Sequence, residues 1–261
     1  MIKIVVVKTG VLKTNTYIIY DTATKNAVVI DPGGDVKEIY HKIAELGLKL
    51  KAILITHGHV DHIAAAKQLH EMTQAPIVMH RLDELLVRTK GPHRFAFNLH
   101  ISKIPKANVR LVGDTDLQIG DLKIVAFHIG GHTPGSVVYY LPPYLFTGDV
   151  LSYRTIGRTD YVGDFDELRR NIKEKLFKLP ADTVVLPGHG ASTTIGEEKK
   201  YNELLKPIRE RIGEIAHLSY RFPHPLQGKR VKIIHSGNIE SPYALVELEG
   251  KYYVVSKRDL R

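Results

Sequence analysis

The stretch Thr56-His57-Gly58-His59-Val60-Asp61-His62 most limits what this chain can fold into. It follows the apolar run Ala52-Ile53-Leu54-Ile55, which reads as a buried strand, and it sets four potential metal ligands within six residues. Imidazole and carboxylate suit zinc, iron or manganese, and a turn leaving a strand end aims several such groups into one cavity. Crowded at the mouth of a buried strand, three histidines and an aspartate call for a charge to satisfy them. The fold must therefore present strand ends to a shared cleft, with the remaining ligands supplied from elsewhere.

Composition narrows the ligand chemistry. Cysteine is absent, which excludes disulfides and thiolate ligands and leaves any metal to histidine and carboxylate. Apolar content of 43% and charged content of 25% are ordinary globular values. No run approaches a membrane span and the start, Met1-Ile2-Lys3-Ile4-Val5-Val6-Val7, reads as a first strand, so a cytoplasmic chain with no membrane role is expected. A net charge of +9 favours acidic partners at long range, or is simply a solvated basic surface.

Val, Ile and Tyr patterning predicts strands at 2–7, 16–20 and 26–30, with Thr14-Asn15 as turn material. Asp31-Pro32-Gly33-Gly34-Asp35 breaks the third strand, and Asp35 is expected to cap a helix carried by Ile39, Ile43 and Leu46. A second helix is expected at 63–72, a strand at 77–79 and a short helix at 83–88. Residues 90–104 mix basic and aromatic side chains and are a lid candidate. Strands are expected at 122–128, 136–141, 144–146 and 183–186, and helices at about 165–178 and 197–217, the last bent at Pro207. Beyond Phe222-Pro223-His224-Pro225 the pattern turns to short strands. The division expected is 1–205 for the main domain and 206–261 for a C-terminal helix with a small β-rich extension, used for packing or dimerisation. A faint echo also emerges: strand then Asp (Asp31, Asp149), helix, strand then His (His57, His189). Two such halves would bring both sets of strand ends to one cleft.

Three further features join the opening turn: Gly130-Gly131-His132-Thr133-Pro134-Gly135, Thr147-Gly148-Asp149 and Pro187-Gly188-His189-Gly190. In this order, each at a strand end, they resemble the metallo-β-lactamase superfamily over about residues 2–203. Gly157-Arg158-Thr159-Asp160 and Thr193-Thr194-Ile195-Gly196-Glu197-Glu198-Lys199 bring the resemblance closest to the glyoxalase II-like hydrolases. The resemblance implies an α/β, four-layer αββα sandwich with a small C-terminal β appendix. It also implies two divalent metal ions, zinc ahead of iron or manganese: His57, His59 and His132 on one, Asp61, His62 and His189 on the other, Asp149 bridging, and Asp31 orienting the cluster.

Two metals about 3.5–4 Å apart can share and activate a water. Asp61 and Asp149 are then the catalytic carboxylates, and a small anionic thioester, such as an acyl-glutathione-like compound, is the expected substrate. Two rival readings use the same fold. A persulfide dioxygenase would need one iron on His57, His132 and Asp149. A nucleic-acid enzyme would exploit the positive charge, but the tail is too short for the inserted domain of the RNA-processing nucleases. β-Lactams are not selected by motifs found throughout the superfamily.

Overall fold

The computed structural model describes residues 1–89, 105–208, 213–221, 223–235 and 241–261. The expected lid at 90–104 lies outside them. In the first third of the chain, consecutive apolar residues point to opposite faces of a sheet. β1 (Ile2–Thr9), β2 (Thr14–Asp21), β3 (Asn26–Ile30), β4 (Lys49–Leu54), β5 (Ile77–His80) and β6 (Val109–Leu111) lie side by side in that order. Ile18, Val29 and Ile53 face α1 (Val36–Glu45), the single turn α2 (Val60–Ile63) and α3 (Ala66–Thr73), while Ile19, Val28 and Leu54 face the second sheet. With both faces covered, these strands read as unbroken apolar runs rather than alternating ones. α4 (Arg81–Arg88) follows β5 directly.

The second sheet takes β7 (Thr115–Ile119), β8 (Leu122–His128), β9 (Val137–Leu141) and β10 (Tyr144–Gly148) in sequence. After the hairpin β11 (Leu151–Ser152) and β12 (Thr155–Ile156) and the helix α5 (Phe165–Glu174), it adds β13 (Val184–Pro187) and β14 (Thr193–Thr194). Ile124, Tyr139 and Phe146 close the space between the sheets, and Val138 and Leu145 meet Phe165, Leu168 and Ile172 of α5 outside. The layers are helix, sheet, sheet, helix, as the resemblance implies. The expected echo is also present: β3–α1–β4 and β10–α5–β13 are both parallel pairs joined through a helix.

α6 (Ile195–Tyr201) is followed by a short 3-10 turn at Glu203–Leu205 and then by a four-stranded antiparallel sheet. Its strands are β15 (Ile215–His217), β16 (Arg230–His235), β17 (Tyr243–Leu248) and β18 (Lys251–Ser256). Among the described residues this shortens the expected helix at 197–217 to α6 and leaves no α-helix in 206–261. Asn202 leaves the helix with an extended backbone, its side-chain amide donating to the Thr155 carbonyl and to Glu198. Lys206, ahead of Pro207, is held extended because proline disfavours a helical residue before it.

Three smaller expectations also change. Asp35 stands at the α1 N-cap position, but its carboxylate accepts from the Gly10 amide, not from the helix. Thr14 and Asn15 belong to β2, paired with Thr9 and Lys8, rather than to a turn. β7, whose Thr115-Asp116-Leu117-Gln118-Ile119 alternates cleanly, was not expected at all.

Candidate metal centre

Five strand ends supply the site. Asp31 follows β3, the Thr56–His62 turn follows β4, His132 lies between β8 and β9, Asp149 follows β10, and His189 follows β13. All seven candidate ligands lie together, His57, His59, Asp61, His62 and His132 buried and Asp149 and His189 partly so. They fall into two groups with no member in common, one of His57, His59, His132 and Asp149 and another of Asp61, His62 and His189, and a third group of Asp31, His57 and His62 overlaps both.

In the first group three ring nitrogens converge. His59 Nδ1 is 3.0 Å from His57 Nε2 and 3.1 Å from His132 Nε2. Their tautomers follow from what the opposite nitrogens touch. His132 Nδ1 donates to the Arg158 carbonyl at 2.8 Å, so Nε2 carries the lone pair. Thr56 donates its single hydroxyl proton to Asp31 and can only accept from His57 Nδ1, 3.0 Å away, which again leaves Nε2 as the lone pair. Burial lowers the pKa of both His57 and His132, so both rings favour the neutral, ligating form.

The second group is richer in charge. His62 Nδ1 donates to Asp31 at 2.8 Å, turning Nε2 toward His189 Nε2 at 3.3 Å and Asp61 Oδ2 at 3.4 Å. Burial opposes a charge on His62, yet Asp61, Asp149 and Asp31 push it up to about 10. The three carboxylates around His62 thus favour positive charge at this point. Asp149 faces both groups: Oδ1 is 3.6 Å from His62 Nε2 and 3.7 Å from His189 Nε2, and Oδ2 is 3.8 Å from His132 Nε2. Asp149 Oδ1 is buried and has no hydrogen-bond partner. An orphaned carboxylate oxygen among lone-pair nitrogens is what a metal-binding donor set presents.

The supports around the ligands explain their precision. Asp31 accepts from the Thr56 amide and hydroxyl and from His62, so one carboxylate orients both ends of the turn. Asn15 reaches the turn after β13, its side-chain amide donating to the Pro187 and Gly190 carbonyls on either side of His189. A Cβ at Gly188 would stand 2.5 Å from His62 Cε1 and 2.7 Å from Asp149 Oδ1, so only glycine lets this turn approach.

Sequence reasoning missed Asp83. In the first turn of α4 it resembles any acidic residue at a helix N-terminus. Fully buried, it accepts from Gly58 N at 2.6 Å, Gly135 N at 2.7 Å and Thr133 Oγ1 at 2.7 Å, so it joins the His57–His59 turn to the turn after His132. Burial pushes its carboxyl up to about 6, against three hydrogen bonds that favour the charged form. Asp83→Ala should weaken metal binding by roughly 10–100-fold, as loss of a ligand-orienting partner does. Competition with a chromophoric chelator measures it, and unchanged affinity would remove Asp83 from the site.

A cavity of about 210 Å³ opens over the ligands and also touches Leu12, Arg158, Tyr161 and Tyr243. The model of the Metallo-beta-lactamase superfamily matches residues 9–189, from the end of β1 to the last candidate ligand. The chain belongs to this superfamily. Among curated relatives, a protein named hydroxyacylglutathione hydrolase GloC from Haemophilus influenzae is 36% identical over 197 residues, covering 73% of this chain and 92% of its own. Among solved structures, the BLEG-1 B3 metallo-beta-lactamase is 35% identical with a TM-score of 0.73, covering 78% of this chain and 99% of its own. TTHA1623 in a di-iron-bound form is 34% identical, TM-score 0.69, covering 77% and 100%. ETHE1 from Myxococcus xanthus is 33% identical, TM-score 0.65, covering 77% and 83%. This superfamily member therefore carries its candidate metal ligands on the expected scaffold, and among the described residues no helix is long and apolar enough to cross a membrane.

Proposed function

We propose that the chain is a two-metal hydrolase acting on a thioester or related ester with a small, anionic, acyl-glutathione-like structure. The observation that carries this reading is Asp149, whose two oxygens face different groups of ligands. His57, His59 and His132 would hold one ion, Asp61, His62 and His189 the other, and Asp149 both. Divalent ions held there would supply Lewis-acid polarisation of a carbonyl and a water acidified toward neutrality. Asp61 Oδ2, 3.1 Å from His189 Nε2 and fixed by the Thr14 hydroxyl at 3.1 Å, is placed to accept a hydrogen bond from the attacking water and orient it. A thiolate leaving group needs little protonation, which suits a ligand set with no separate general acid. The name of the GloC relative supports the substrate class, and the di-iron state of TTHA1623 supports two ions and leaves iron beside zinc and manganese as the metal.

Residues 1–205 are read as the catalytic unit of a cytoplasmic enzyme and 206–261 as its extension, used for packing or dimerisation. The +9 charge would draw anionic substrates, and nucleic acid is not required to account for it. The likeness to ETHE1 favours a second reading, a persulfide dioxygenase with one iron on His57, His132 and Asp149, but that reading leaves the Asp61, His62 and His189 group without a purpose. Full-length protein loaded with zinc, iron(II) or manganese(II) should hydrolyse members of a thioester panel. Oxygen uptake with a persulfide and no ester turnover would establish the second reading instead. Turnover of a β-lactam alone would align the chain with BLEG-1.

A further inference from the structure

The C-terminal sheet is part of the wall of the metal centre. Tyr220 Oη donates to Asp160 Oδ2 at 2.8 Å, Arg158 donates to Asp160 and to Asp259, and the Val254 carbonyl accepts from Thr159 N at 3.0 Å. Leu245 and Val254 share a core with Phe165 and Leu168 of α5. Ser241 Oγ donates to Thr155 Oγ1 at 3.0 Å and accepts from Tyr243 N at 3.2 Å, which pins the start of β17 against the β11–β12 hairpin.

A second cavity, of about 230 Å³, results from this docking. It meets the first at Asp149, His189 and Tyr243, so Tyr243 stands between the two. Ile156, Ala191 and Pro242 line it together with Ser152, Tyr153 and Thr155, and among the described residues no lysine or arginine does. Among the described residues such a chamber offers hydroxyls but no cationic side chain to the carboxylates or phosphates of a polar thiol carrier. Arg158 lines only the first cavity, and there it is already paired with two carboxylates. Pro242 and Tyr243 lie beyond residues 9–189, the part matched to the superfamily, so this wall belongs to the extension.

We infer that the chamber between Ile156, Ala191, Pro242 and Tyr243 receives the apolar acyl group of the substrate, and that Tyr243 is a specificity-determining residue supplied by the C-terminal sheet. At ~30 Å³ for each water-sized group, its volume holds roughly seven or eight non-hydrogen atoms. This inference rests on the hydrolase reading for the words acyl group, but its test does not need turnover.

Calorimetric titration of the metal-loaded full-length chain with straight-chain carboxylates from acetate to octanoate reads the chamber directly. Affinity should rise by about fourfold per methylene until the chamber is full. Tyr243→Phe should keep that slope. Tyr243→Ala should flatten it, a loss of chain-length dependence that general loosening of the sheet would not produce. Should Tyr243→Ala fail to fold, Ala191→Phe fills the same space and should also flatten the series. Equal affinities for acetate and octanoate in the parent protein, or an unaltered slope in these variants, would overturn the inference. A steep series without thioester turnover would retain the chamber and sink the hydrolase, whereas turnover with a flat series would do the reverse.

Discussion

Asp149→Ala is expected to empty both halves of the centre together, taking metal content from two ions per chain toward none and kcat/KM down by at least about a thousandfold, ~4 kcal/mol of transition-state stabilisation. The size follows from position. Oδ1 lies toward His62 and His189 and Oδ2 toward His132, so one truncation removes an anionic donor from each group. What remains in the first group is three imidazoles, a poorer trap for a dication than the same three with a carboxylate. Asp149→Asn, which keeps the shape and one oxygen, should retain more metal than the alanine variant but little activity. Elemental analysis beside thioester turnover reads both. Two retained ions with near-normal rates would remove Asp149 from the bridging role.

Stripping the metals should cost the fold about 4 kcal/mol, the value for a ligand held at a thousandfold excess over its dissociation constant. At ~2–4 °C per kcal/mol for a chain of this size, Tm falls by roughly 8–16 °C. Without cations the cluster is under-satisfied: Nε2 of His57 and of His132 both face the one His59 Nδ1, which can donate to only one of them, and Asp149 Oδ1 is buried without a partner. Calorimetry with and without a chelator, then with zinc restored, measures the change. A Tm insensitive to chelation would mean that hydrogen bonds alone satisfy this cluster.

The candidate ligands could be brought together from the sequence because each sits in a short motif at the end of an apolar run, where spacing and strand periodicity need no knowledge of distant contacts. His57, His59, Asp61 and His62 declare themselves within one turn, and Gly188 marks His189 through the close approach it permits. Asp83 was not readable, because its role exists only once Gly58 and Gly135 are brought to it from elements 25 and 52 residues away. The region after Tyr201 failed for a related reason. Its residues suit a helix locally, but Asn202 finds Thr155 and Glu198, and Pro207 imposes an extended neighbour, so tertiary hydrogen bonds override propensity. The β character of the tail was legible from its alternation, whereas the placing of Tyr243 beside the metal centre was not, since nothing in a strand's own sequence says what it packs against.

The central claim is that the seven ligands divide between two ions rather than converge on one. Metal stoichiometry of the full-length protein and of His189→Ala, with the metal of each preparation identified, tests it most directly. The division predicts two ions per chain in the parent protein and one in the variant, since His189 serves only the group with Asp61 and His62. One ion per chain in both would contradict it, and would return the site to the single-metal reading on His57, His132 and Asp149.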